Sequence, residues 1–241
     1  MGKKWLERTE LLIKEEGLEK LNQATVLVVG LGGVGSFAAE FLARAGVGYM
    51  TIVDGDTVDI TNVNRQLPAL HSTVGKHKVE IVAERLLDIN PDLQLTKINE
   101  FLNPERMDEV LDSAPFDYVL DCIDSVTPKL SLIIAAKRRR IKIVSSMGAG
   151  GKTDPSKVMV RDISKTEHCH LARQVRKRLK KVKIDKGVRC VFANDIQDED
   201  SLKMTDGSNY KRSFYGTISY MPAIFGLYAA SEVINHLLDK K

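Results

Sequence analysis

Two cations, Arg65 and Lys78, stand thirteen residues apart between two carboxylates, Asp54 and Asp124, and downstream of the run Gly30-Leu31-Gly32-Gly33-Val34-Gly35-Ser36. These residue types suit phosphoryl chemistry. A glycine turn lets backbone N–H groups approach a phosphate, and an acid beyond it can accept from a ribose hydroxyl. Cations offset triphosphate charge, and a second acid can hold magnesium on it. A nicotinamide cofactor gives no reason to send both Arg65 and Lys78 to one crevice, whereas ATP does. The chemistry expected is ATP-dependent adenylation of a carboxylate.

The elements that must position these residues are legible around them. Val26-Leu27-Val28-Val29 runs into the glycine turn, and Phe37, Phe41, Leu42 and Ala45 follow at helical spacing, which reads as strand, turn and helix. Gly30 permits the turn, Gly32 lets backbone approach a phosphate, and Gly35 lets the helix pack on the strand, with Gly33 inside the same turn. A second strand, Tyr49 to Val53, ends at Asp54, and a third, Tyr118 to Leu120, closes on Asp121-Cys122-Ile123-Asp124-Ser125. Any one of Arg65, Lys78 and Asp124 could be a surface charge or a helix cap, but that reading is poor for all of them at these spacings.

An N-terminal helix is expected from Trp5 to Asn22, then strands near 25–29, 49–53, 93–98, 117–121 and 141–146. Helices are expected between them near 35–45, 75–89, 104–113 and 126–138. This alternation predicts an α/β fold, a Rossmann-like, doubly wound and mainly parallel sheet with its site at the carboxyl ends of the strands. Asp54, Asp124 and residues 145–151 all fall there. Beyond Gly151 a C-terminal extension is expected: strands at 158–163 and 188–193, a helix at 165–182, a polar loop at 195–213 and a returning helix at 216–238. One domain over 1–241 is implied, with residues 152–215 as the region of substrate specificity.

Composition narrows the class. With 43% hydrophobic and 28% charged residues, the chain is an ordinary globular protein able to bury a full core. It opens on a charged amphipathic stretch rather than a leader, and it lacks the run of about 18 apolar residues that crosses a membrane. A cytoplasmic location without a membrane partner is therefore expected. Cys122, Cys169 and Cys190 form no C-x-x-C pair, which argues against a disulfide framework and a structural zinc. From Lys137 to Arg189 there are 18 Lys or Arg against four acids, a balance of +14 that leaves −10 for the remainder.

Much of that charge lies on one predicted helix. Leu171, Val175, Leu179 and Val182 share a stripe, and Arg173, Arg176, Lys177, Arg178, Lys180 and Lys181 occupy the other face. A solvated helix usually mixes signs, yet no acid occurs from Ala172 through Ile184, so a polyanion such as RNA is the partner expected. Lys137-Arg138-Arg139-Arg140 could extend the patch, although a helix C-terminus also favours cations. His168-Cys169-His170 makes a weak metal candidate, because adjacent helical residues point in different directions. Cys122 and Cys190 read as packed thiols, His71 and His77 as neighbours of the phosphate region, and residues 67–78 as a cover. The carbonyls of residues 148–154 could coordinate a monovalent cation, K+ or Na+.

The glycine turn, Asn62-Val63-Asn64-Arg65-Gln66, Lys78 and Asp121-Cys122-Ile123-Asp124 together resemble the ubiquitin-activating-enzyme-like superfamily, with its ThiF/MoeB-like fold. The resemblance implies one ATP and Mg2+ site comprising Gly32, Asp54, Asn62, Arg65, Gln66, Lys78 and Asp124, lined further by Gly30, Gly33, Gly35, Asp56 and Ser125. It implies catalytic roles for Arg65, Lys78, Asp124 and Arg8, the last reaching into a partner's site, and hence a homodimer. Asp124 would be the magnesium ligand. Within the superfamily, Gly148-Ala149-Gly150-Gly151, Asp154-Pro155 and the basic helix resemble the branch that dehydrates threonylcarbamoyladenosine in tRNA. The implied reaction adenylates the threonyl carboxylate and cyclises it, releasing pyrophosphate and then AMP. An activator of a ubiquitin-like sulfur-carrier protein is the alternative, disfavoured by the missing zinc pairs and the basic block. A cysteine-desulfurase and sulfur-acceptor system is a further partner the resemblance allows.

Overall fold

The computed structural model describes residues 4–205 and 213–239. One seven-stranded sheet contains β1 (Thr25–Val29), β2 (Tyr49–Val53), β3 (Gln94–Ile98), β4 (Tyr118–Asp121), β5 (Lys142–Ser146), β6 (Val158–Asp162) and β7 (Arg189–Ala193) in the order β3-β2-β1-β4-β5-β7-β6. All neighbours pair in parallel except β6, which is antiparallel to β7 at the edge. The predicted doubly wound, mainly parallel sheet is therefore the observed one. Its order reverses between β1 and β4, which opens a crevice beyond their carboxyl ends.

The side-chain period of two distributes the core to both faces. Val26, Val28, Met50 and Ile52 pack under α2 (Gly35–Arg44), α3 (Lys78–Ile89) and α7 (Tyr220–Leu237). Leu27, Val29, Val53 and Val119 pack under α4 (Pro104–Asp112), α5 (Val126–Arg138) and α6 (His170–Lys181). Pro222 interrupts nothing, because it lies in the first turn of α7, where a missing N–H breaks no helical bond. No described helix is long and apolar enough to cross a membrane.

Several boundaries differ from the sequence reading for local reasons. The N-terminal helix, α1 (Glu7–Gln23), follows one 3-10 turn and breaks its helical geometry at Lys14, where φ is +65°. Helix α3 starts at Lys78 rather than near 75, because residues 75–77 are held extended: Val58 N–H donates to the Lys76 carbonyl and Thr57 bridges His77. The basic helix starts at His170 rather than near 165, since Ile163–Lys165 form a separate 3-10 turn and His168 is left-handed at φ +46°. The predicted loop at 195–213 is corrected as well. β8 (Leu202–Met204), inside it, pairs antiparallel with β9 (Ser213–Tyr215), which begins at its end; strands of three residues are too short to carry a strand signature. Residues 206–212 of that loop lie outside the described residues.

Candidate active site

The glycine turn sits where β1 meets the switch point, and its geometry is dictated by close backbone approach. Gly30 has φ +91°, and a Cβ on it would lie 2.9 Å from the Cys122 carbonyl oxygen. A Cβ on Gly35 would lie 1.7 Å from the Gly30 carbonyl oxygen, so α2 can begin against the strand only without a side chain there. The other two glycines differ from each other. Gly33 is closed off by Pro222 and the Arg65 carbonyl, which a Cβ there would meet at 2.9 and 3.1 Å, so its place in the turn serves packing. Gly32 is open, with Gln66 Nε2 the nearest atom to a Cβ at 3.6 Å. No side chain caps the N-terminus of α2, and although Ser36 N–H donates to the Gly32 carbonyl at 3.3 Å, an uncapped first turn suits an anion.

Asp54, just past β2, is buried and ties the turn to the next segment. Its carboxylate accepts from Leu31 N–H at 2.6 Å and Asp56 N–H at 2.8 Å. Burial pushes its carboxyl above the usual range, against the pull of the Lys78 ammonium and these two N–H groups. Lys78 is itself buried, with Nζ 3.0 Å from Asp56 Oδ2, while Asp56 is 54% exposed. The acid at the second strand end and the predicted phosphate lysine thus occupy one electrostatic neighbourhood.

The Asn62–Gln66 segment folds over the turn. Asn62 is buried, accepts from Asp59 N–H at 3.2 Å, and offers its carbonyl to the N–H groups of Arg65 and Gln66. These bonds shape the segment. Arg65 donates from Nη1 to the Thr61 carbonyl and to Asn64 Oδ1, both at 2.9 Å. Gln66 lies beside Gly32, and its Oε1 is buried with no hydrogen-bond partner among the described residues. A buried acceptor without a donor is costly, and a nucleotide's N–H or O–H groups would satisfy it.

Asp124 is exposed beyond β4, on the opposite side of the turn from Asp54. The N-cap of α5 falls on Ser125, whose side chain makes no capping bond. A single exposed carboxylate would suit magnesium bound to a nucleotide, because that ion keeps most of its shell as water and phosphate oxygen. Arg8 is exposed on α1 and is not brought to this crevice: Leu6 seats against Gly46, past the end of α2 remote from the glycine turn.

Beneath the site lies a charge network that the sequence reading missed. Lys129 Nζ, fully buried, donates to Asp121 Oδ2 at 2.8 Å, Ser145 Oγ at 3.1 Å and the Ser146 carbonyl at 2.8 Å. Asp121 also accepts from Ile123 N–H at 3.1 Å, which fixes the turn carrying Asp124. The available signal was a lysine on the apolar stripe of a helix, level with Val126, Ile133 and Ala136. Lys129→Met should lower stability by about 3–5 kcal/mol, because it strands a buried carboxylate. The denaturant midpoint at unchanged slope measures this, and a loss below about 1 kcal/mol would contradict it.

The basic helix begins at the same crevice: a Cβ on Gly148 would meet Cys169 Sγ and Leu171 Cβ, each at 3.7 Å. Ala172, Val175 and Leu179 form its buried face, whereas Val182, expected there, is 50% exposed beyond the last turn. Arg173, Lys177, Arg178, Lys180 and Lys181 are exposed. Arg176 is not equivalent to them, since it is half-buried and its Nη1 donates to the Thr166 carbonyl, 2.7 Å away in the segment before the helix. Other cations of the +14 block are also engaged internally: Arg139 with Asp108 and Asp112, Arg189 with Glu232, and Lys152 in the interior. The exposed cationic surface therefore comprises fewer residues than the block contains, and it extends beyond α6 to exposed neighbours such as Lys165, Lys183 and Lys186.

The remaining candidates lie in different settings. The described residues contain no group of three potential metal ligands, and His168 and His170 lie near Glu167 and Glu199 instead. Cys169 and Cys190 are buried, and burial pushes the Cys122 thiol up to about 12. These are packed thiols rather than reactive thiolates. Residues 67–78 are internally tied, Thr73 Oγ1 donating to the Pro68 carbonyl at 2.7 Å, with His71 and His77 exposed.

Comparison with known proteins agrees with this geometry. The ThiF family model matches residues 6–241. The tRNA threonylcarbamoyladenosine dehydratase of Bacillus subtilis is 42% identical over 238 residues, covering 96% of this chain and 93% of that protein. The crystal structure of Escherichia coli tRNA N6-threonylcarbamoyladenosine dehydratase in complex with ATP superposes with a TM-score of 0.88 at 36% identity, covering 99% of this chain and 97% of that one. The molybdopterin-synthase adenylyltransferase of Salmonella typhimurium is 40% identical, but over only 130 residues, 54% of this chain and 51% of that protein.

Proposed function

The chain belongs to the ThiF family, and on that premise we propose that it is an ATP-dependent tRNA threonylcarbamoyladenosine dehydratase. One observation carries this reading. The likeness to a dehydratase covers 96% of the chain, enough to include the basic helix, whereas the likeness to a molybdopterin-synthase adenylyltransferase covers 54% of it.

In the reaction, an oxygen of the threonyl carboxylate attacks the α-phosphorus of ATP, the bond to the β-phosphate oxygen breaks, and pyrophosphate leaves. The carbamoyl group of the same side chain then attacks the acyl carbon, loses a proton and expels AMP. The nucleoside has lost one water overall. Ring closure is intramolecular and gains from proximity, so no cysteine nucleophile is required. The amides around Gly32 and the uncapped start of α2 hold phosphate. Asp54 accepts from the ribose, and Arg65 and Lys78, the latter released from Asp56, stabilise charge developing on the transferred phosphoryl group.

Asp124 is the residue that would hold magnesium, which neutralises phosphate charge when bound. Asp124→Asn should therefore raise the magnesium concentration needed for half-maximal turnover by about tenfold or more. An unchanged titration would remove Asp124 from the metal role. The exposed face of α6, within the specificity region 152–215, receives the tRNA, and the cytoplasm is the proposed setting. A homodimer is proposed because α1 leaves Leu11 and Leu12 71% and 76% exposed and because Arg8 can serve an ATP crevice only in a second copy.

Pyrophosphate release tests the reading, with threonylcarbamoylated tRNA, tRNA lacking that modification and a sulfur-carrier protein as alternative substrates. Release with the first alone is expected. Release driven by the carrier protein would establish an activator of ubiquitin-like proteins instead.

A further inference from the structure

Lys152 lies in the loop after β5 and is fully buried, yet it is not part of the ATP crevice. Its Nζ faces four oxygens: the carbonyls of His168 at 3.1 Å, Ala193 at 2.9 Å and Asp195 at 2.5 Å, and Asp195 Oδ1 at 3.0 Å. An ammonium has three donors, so at least one N–H is shared, and the shell resembles that of a coordinated cation. Rings of backbone carbonyls are a common way for proteins to hold a bare monovalent ion.

A second observation supports the comparison. His168 takes φ +46°, a left-handed conformation that a non-glycine residue adopts only when its surroundings enforce it. Its carbonyl is one of the four oxygens on Nζ. The strained residue directly precedes Cys169, the N-cap of α6. The four oxygens thus join the loop beside Gly148, the start of the basic helix and the end of β7 at one point.

We propose that Lys152 is a built-in cation: its ammonium fills the carbonyl cage that K+ or Na+ would otherwise occupy, and it is the positioning residue that sets α6 against the loop after β5. None of these four oxygens belongs to residues 148–154, so the cage that Lys152 fills is distinct from the carbonyls of that loop. Lys152 touches neither phosphate nor carboxylate substrate. It acts through the placement of α6.

Thermal unfolding in sodium, potassium and choline chloride at equal ionic strength tests the proposal without reference to substrate, so its outcome is independent of the dehydratase reading. Lys152→Ala should unfold about 5–10 °C lower than the wild type in choline, since its removal leaves several buried carbonyls unpaired, and should gain more from potassium over choline than the wild type does, because potassium can enter the vacated cage. An alanine variant that gains no more from potassium than the wild type would overturn the proposal, as would one that loses no stability or one that folds in neither salt.

Discussion

Alanine in place of Lys78 or of Arg65 is expected to lower turnover by at least about a hundredfold each, the scale of removing a positive group aimed at developing phosphoryl charge. Folding should change little. Lys78 is buried, but the Asp56 carboxylate it pairs with is more than half exposed and can return to water when the ammonium is gone. Arg65 donates to the Thr61 carbonyl and the Asn64 side chain, both within its own segment. Rates of pyrophosphate release beside denaturant midpoints separate the two effects. Near-wild-type rates in both variants would remove the ATP-site assignment, and a rate loss matched by unfolding would remove the electrostatic role.

The second large effect concerns α6. Reversing Lys177, Arg178 and Lys181 to Glu should weaken tRNA binding at least about a hundredfold and leave ATP binding intact, because phosphate neutralisation adds along a patch. Arg176 is excluded from this set, since its bond to the Thr166 carbonyl holds the segment before the helix, and its reversal would confound binding with folding. Affinity measured against salt provides the control. The wild-type slope should be steep and should fall by about three in the triple variant, one for each phosphate contact removed. A salt-insensitive affinity, or equal affinity of the reversed protein, would make the cationic face a solvated surface.

Much of the fold was legible because strands β1 to β4 carry apolar residues on both faces and each is followed by helical spacing. Val26 to Val29 shows both signals, feeding Val26 and Val28 to one core and Leu27 and Val29 to the other. The glycine turn was legible because close backbone approach leaves Gly35 no alternative. What escaped the reading has a common physical cause: a buried charge is indistinguishable in sequence from a solvated one until its partners are in place. Lys152 adds to the +14 block in sequence yet fills a cage of oxygens, and Lys129, to which the sequence assigns no role, neutralises Asp121. The β8–β9 hairpin escaped for a different reason. Strands of only three residues, Leu202–Met204 and Ser213–Tyr215, are too short for alternation to stand out from a loop, and only the pairing itself defines them.

The roles of Asn62 and Gly33 were narrowed rather than lost. Both belong to the segments that build the crevice, but Asn62 spends its hydrogen bonds on the Asp59–Gln66 turn and Gly33 packs on Pro222. Gln66 gained weight, because its buried Oε1 lacks a partner among the described residues next to the open Gly32.

If this ATP site dehydrates a modified adenosine within tRNA, the product must differ from the substrate by one water. Mass analysis of nucleosides from threonylcarbamoylated tRNA, incubated with the protein, ATP and magnesium, tests that most directly. The threonylcarbamoyl nucleoside is expected to become lighter by one water, with one AMP and one pyrophosphate formed for each nucleoside converted and no conversion when ATP is omitted. An unchanged nucleoside mass under conditions where the protein hydrolyses or binds ATP would contradict it.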